Sequence, residues 1–182
     1  MVRKEFYFQT GQFMKLGPTY QRHCGPTAIT NLVYTLAART GTPLEKPAEE
    51  VFTGIAGIGK RRATYVNASI MGRFGGTSDF LAPAYIRACL KKYGIRGYSA
   101  RGIFWASAKR ITALLDRGAV IYLELHRHPK YGSHHMLCYG YRYEGSQVIY
   151  RCADGWSGKP VELPAMTLGF ALYTAIVPIV TN

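Results

Sequence analysis

The chain has 182 residues, 48% of them hydrophobic and 13% aromatic, which argues against a disordered tail and allows one substantial core in a single domain, 1–182. Its 23 Lys and Arg against 10 Asp and Glu give a net charge of +13 with no basic tract of five or more, so the charge reads as steering toward acidic partners; no aromatic-basic motif marks a nucleic-acid binder. The four cysteines at 24, 89, 138 and 152 form no CxxC pair, which argues against a zinc knuckle or a disulfide framework and leaves reduced thiols.

From the N-terminus, residues 1–10 carry no apolar core of signal-peptide length. Residues 27–38 place Ala28, Ile29, Leu32, Val33, Leu36 and Ala37 on one helical face, stopped by Gly41 and Pro43, with Pro26 suited to a first turn. Cys24 lies at the start of that helix. A second, short helix is expected over 47–58, and 54–76, rich in glycine and basic residues, reads as a long, partly irregular excursion. Asp79 is expected to cap a helix to about residue 93, and Ser107 another to Arg117 with Gly118 as its stop.

After Gly118 the period turns strand-like. Runs at 119–125, 134–141, 147–153 and 171–180 are apolar, β-branched or aromatic, and Glu144-Gly145-Ser146 suits a hairpin turn between the second and third. A helical first half and an antiparallel second half make an α+β fold. The longest apolar run, 171–180, is too short to span a bilayer and contains Thr174 and Pro178, so the chain reads as soluble and cytoplasmic.

The chemistry-bearing residues occur in a telling order. A thiol at a helix start meets unpaired N–H groups that favour its thiolate, so Cys24 is placed to be a nucleophile. His134 and His135 head an apolar strand and supply a base, and Asp154, before Gly155, offers a carboxylate to orient it. The expected resting state is a thiolate–imidazolium pair, with the Cys24 N–H and the Gln21 amide as oxyanion donors. Each residue also has an ordinary reading: a buried apolar thiol, a polar strand end, a turn-forming carboxylate. Their joint occurrence in catalytic order favours the site.

Other motifs carry less. Gly54 to Lys60 has phosphate-loop spacing, but Arg61 occupies the magnesium-binding position and no nucleotide site is expected. His126 and His128, near His134 and His135, have no carboxylate or cysteine at ligand spacing; they are read as loop residues at the rim, with no metal and no cofactor expected. Trp105 and Trp156 are read as core residues, although Trp156 is close enough to Asp154 to shield its hydrogen bond from water.

The segment Cys24-Gly25-Pro26-Thr27-Ala28 with Asn31-Leu32, a histidine followed by Gly140-Tyr141, and Asp154-Gly155-Trp156 resemble the papain-like cysteine peptidases. Among them the chain is most similar to the bacterial double-glycine leader peptidases of bacteriocin exporters and their stand-alone relatives. The match touches three short windows and leaves 41–118 unmatched. The resemblance implies a papain-like fold and a thiol protease with catalytic Cys24, His134 and Asp154. The family's base stands six positions before the strand glycine, which selects His134; His135, the alternative base, points to the opposite face. The family's oxyanion glutamine stands five or six positions before the cysteine, where this chain has Pro18 and Thr19, while Gln21 is three before. The expected substrate is a peptide or protein, acidic by charge complementarity. Acyl transfer through the same thioester, a non-catalytic peptide-binding module and a nucleic-acid-binding protein are the rivals.

Overall fold

The computed structural model describes residues 4–16, 22–70, 74–104, 106–169 and 171–179. A short helix α1 (Thr10–Met14) leads to α2 (Cys24–Thr40), which is buried along most of its length and ends on Gly41 in the left-handed conformation, φ 68°, its N–H closing on the Ala37 carbonyl. The segment before α1 runs along this helix. Asn31 accepts from the Phe8 N–H at 2.6 Å and donates to its carbonyl at 3.1 Å. Thr10 N–H reaches the Gly155 carbonyl at 2.7 Å, so the N-terminal segment ties the middle of α2 to the turn carrying Asp154.

Helix α3 (Ala48–Arg61) occupies the stretch where a helix is expected over 47–58 and runs three residues further, into the region expected to be irregular. Glu49 and Glu50 in its first turn and Lys60 and Arg61 in its last suit the helix dipole. Its glycines hide the periodicity because they lower helix propensity, yet packing requires one of them: a Cβ on Gly59 would stand 2.7 Å from the Tyr85 hydroxyl. Further along the glycine-rich region two strands pair antiparallel, β1 (Tyr65–Ile70) and β2 (Phe74–Thr77).

Asp79 does not cap the next helix. Helix α4 (Ala82–Lys92) starts after Leu81 with no side-chain cap and has Pro83 in its first turn, which frees the Asp79 carboxylate for other partners. Ser107 does cap α5 (Ala108–Asp116), accepting from the Arg110 N–H at 3.3 Å.

The main sheet joins β3 (Tyr98–Ile103), β4 (Val120–His128), β5 (Gly132–Glu144), β6 (Gln147–Ala153), β7 (Val161–Pro164) and β8 (Ala171–Pro178), after a 3-10 turn at Ala165–Thr167. All neighbours are antiparallel, in the order β3-β8-β4-β5-β6-β7. The short β3 and β7 edges lie outside the four expected runs. One core, with Leu32, Leu36, Ile55, Ile86, Tyr122 and Leu137, fills the space between α2–α4 and one sheet face. A second, with Ile111, Leu115, Leu123, Met136 and Cys138, lies on the opposite face under α5. The architecture is α+β with an antiparallel sheet covered on both faces. Among the described residues no helix is long and apolar enough to cross a membrane.

Candidate active site

Cys24 opens α2 and is partly exposed. Its sulfur lies against the head of β5, where the N–H groups of His135, Gly25 and Cys24 itself point at it and favour the thiolate. Burial acts more strongly in the other direction, with the Asp79 charge added to it, and the thiol is raised above its ordinary value. Burial and Asp79 thus favour the thiol over the thiolate of the expected ion pair. Gly25 allows this close docking, since a Cβ there would collide with the Thr77 hydroxyl and stand 2.9 Å from the Tyr122 hydroxyl.

Strand alternation sends His134 and His135 to opposite faces of β5. His134, paired with Leu125 in register, stacks on Tyr131 at 5.5 Å and meets the Trp156 ring at 4.7 Å. Its Nε2 is 2.7 Å from the backbone carbonyl oxygen of Asp154. A carbonyl only accepts, so Nε2 carries the proton and Nδ1 is the basic nitrogen of the neutral ring. Burial lowers the His134 pKa while the Asp154 carbonyl and carboxylate pull it back.

The Asp154 carboxylate is occupied elsewhere, which corrects the expectation that it would orient the imidazole directly. Oδ1 accepts from the Trp156 and Ser157 N–H groups at 2.9 and 3.0 Å and from the Ser157 hydroxyl at 2.6 Å, and Oδ2 accepts from the Tyr131 hydroxyl at 3.2 Å. These bonds close the turn at Gly155, φ 70°, and hold its carboxyl below the ordinary value against the opposing effect of burial. The carboxylate thus builds the platform from which its own carbonyl reaches His134. Trp156 is not a core residue as expected: it is 46% exposed, with its ring beside the bond at 4.7 Å from that of His134.

His135 faces α2, with its ring 5.4 Å from that of Tyr122. Its Nε2 is 3.6 Å from Asp79 Oδ1, and Asp79 Oδ2 is 3.1 Å from His126 Nε2. Burial, followed by the charges of His134 and His126, pushes the His135 ring down to about 3, so it stays neutral at physiological pH. Beside it Glu124, held by the Thr174 hydroxyl at 3.2 Å, is pushed up to about 8 by burial and by Asp79. Among the described residues, the Thr77 hydroxyl, the Tyr122 hydroxyl and His135 Nδ1 are buried without a hydrogen-bond partner around the start of α2.

Nothing in the local sequence marks Thr77 or Tyr122 as site residues, and Asp79 reads as a helix cap; the signal for Glu124 is its position as a lone carboxylate inside Val120-Ile121-Tyr122-Leu123-Glu124-Leu125. His126 and His128 lie in β4 rather than in a loop, and His128 Nδ1 accepts from the Lys130 N–H at 3.1 Å. Gln21 and Trp105 lie outside the described residues. Among the described residues no group of three or more His, Cys, Asp or Glu is arranged to hold a metal ion. Comparison with protein-family models, with curated proteins and with solved structures gives no match.

Proposed function

We propose that the chain is a cysteine peptidase or amide hydrolase of papain-like architecture, with Cys24 as nucleophile, His134 as general base and acid, and Asp154 and Trp156 as the groups that position the imidazole. The observation that carries the reading is the His135 N–H at the Cys24 sulfur, which sets the nucleophile against the strand that bears both histidines; the His134 Nε2 bond to the Asp154 carbonyl leaves Nδ1 as that ring's proton acceptor, while the His135 ring is the one on the α2 face. His135 is the weaker base, because a ring held near 3 has little affinity for a proton at neutral pH. A cysteine-bearing helix start set against a histidine-bearing strand of an antiparallel sheet is also the arrangement that the resemblance implies.

Because thiol and imidazole are both neutral at rest, the proton moves as the S–C bond forms. Cys24 Sγ attacks the substrate carbonyl carbon, His134 takes the thiol proton, and the tetrahedral oxyanion is stabilised by backbone N–H groups at the start of α2. His134 then gives that proton to the leaving amine, which leaves a thioester on Cys24. Water, deprotonated by His134, releases the acid and restores the thiol; an amine in place of water gives acyl transfer. No cofactor enters these steps. A peptide or protein with acidic residues suits the field of a chain carrying +13.

The raised Cys24 thiol favours a second reading, a non-catalytic peptide-binding module on the same fold. An activated ester such as p-nitrophenyl acetate separates the two. The enzyme reading expects a stoichiometric burst of p-nitrophenol that vanishes in Cys24→Ala with the fold intact by circular dichroism. A chain that shows no burst, or one that persists in Cys24→Ala, is not this hydrolase.

A further inference from the structure

A cavity of about 400 Å3 opens on the side of the sheet that carries His135. Phe80, Phe104, Ala106, Ala171, Leu172 and Tyr173 give it apolar walls, and Asp79 and His126 form its polar end. Phe80 is 76% exposed and Phe104 57% exposed, so two large apolar side chains stand in water around one concave site; that is where apolar surface collects when it serves a ligand. The cavity shares a wall with the candidate active site. Asp79 lines it, contacts His135 and bears on the Cys24 thiol, and Thr77, two residues earlier, packs on Gly25.

Building on the Cys24 nucleophile, we infer that this cavity is the specificity pocket of the site and takes a bulky apolar or aromatic substrate side chain next to the scissile bond. Glycine, the residue implied by likeness to double-glycine leader peptidases, would leave both phenylalanines in water and the cavity unfilled. A phenylalanyl or leucyl side chain fills this space and covers both rings, and burial of that apolar area favours it. The polar end sets the other boundary. A substrate carboxylate there would face Asp79, whose charge is already costly in this half-buried place, so the pocket discriminates against acidic side chains even though the chain as a whole attracts acidic partners.

The test uses two dipeptidyl chloromethyl ketones that differ only in the residue beside the ketone, phenylalanine or glycine, with alkylation of Cys24 followed by intact mass. The phenylalanine reagent is expected to react at least tenfold faster. Ala106→Trp, which fills the cavity from a loop, and Phe80→Ala, which removes an exposed wall, should each erase most of that preference while iodoacetamide still alkylates Cys24 at the parent rate. Equal rates for the two reagents in the parent protein overturn the pocket and leave the nucleophile standing. If neither reagent modifies Cys24, the nucleophile reading fails, and the pocket is then decided on Cys24→Ala by NMR titration. N-acetylphenylalanine amide should bind there more tightly than N-acetylglycine amide and lose that advantage in the Ala106→Trp background; identical titrations overturn it.

Discussion

On one side of β5, His134 sits between Tyr131 and Trp156 with its Nε2 proton spent on a backbone carbonyl; on the other, His135 sits between Tyr122 and Asp79, walled in with Glu124 and a second histidine. The two rings are adjacent in sequence and opposite in chemistry. The first side is built from hydrogen bonds that end on one well-satisfied carboxylate, so charge is tolerated there and the imidazole is held in one tautomer. The second crowds Asp79, Glu124 and His135 together out of water, so these three move toward their neutral forms. The proposed general base belongs to the satisfied side, and the groups most displaced from their ordinary titration belong to the crowded one.

The largest effect should come from exchanging the two histidines' roles. His134→Gln is expected to slow acylation of Cys24 by p-nitrophenyl acetate about 100-fold or more, the ordinary worth of a general base, whereas His135→Gln should stay within about threefold. Equal losses in stopped-flow bursts would erase the distinction between the two sides. Gly25→Ala comes next: the new methyl must displace Thr77 or Tyr122, and overpacking of this kind costs roughly 1–3 kcal/mol. Urea unfolding should show that loss together with a diminished burst, because the start of α2 backs away from β5.

The pH dependence of stability should carry one sign at Asp154 and His135 and the opposite sign at Glu124. Asp154 is held below its ordinary carboxyl value, so its contribution is present above about pH 4 and is lost as pH falls through the acid range. Glu124 is raised from 4.5 to about 8, so the folded state keeps a proton that the unfolded chain has released, and stability falls as pH rises between those values. Glu124→Gln should therefore melt above the parent protein at pH 9, with the gain gone below pH 4.5. His135, lowered from 6.5 to about 3, adds instability as pH falls through that interval, and His135→Gln should relieve it. Melting curves from pH 3 to 9 on the two variants read both signs. The smallest effect belongs to Trp156→Ala, which wets the His134–Asp154 bond without removing it; a fall in burst rate of a fewfold is expected, with the protein still folded by near-ultraviolet circular dichroism.

Local physics made much of this visible in advance. The apolar spacing of 27–38 and the change of period after Gly118 mark α2 and four of the sheet strands, and Ser107 marks a real cap. The last turn of α3 is obscured because Gly59, which packing against Tyr65 and Tyr85 requires, reads locally as loop, and the β1 and β2 strands lie in the same glycine-rich stretch. Asp79 was misplaced because an acidic residue before a helix looks like a cap whether or not its side chain turns toward the helix.

By itself the sequence determined that a thiol begins a buried helix, that two histidines head a strand on opposite faces, and that a carboxylate closes a glycine turn, because each depends on neighbours within a few residues. Only the tertiary structure decided which acid meets which ring. The Asp154 carbonyl reaches His134, while Asp79 crosses from the hairpin to His135 and His126. Those partners are set by sheet order, register and the docking of α2 on β5, and side chains far apart in sequence leave no periodic trace of the contact they will make.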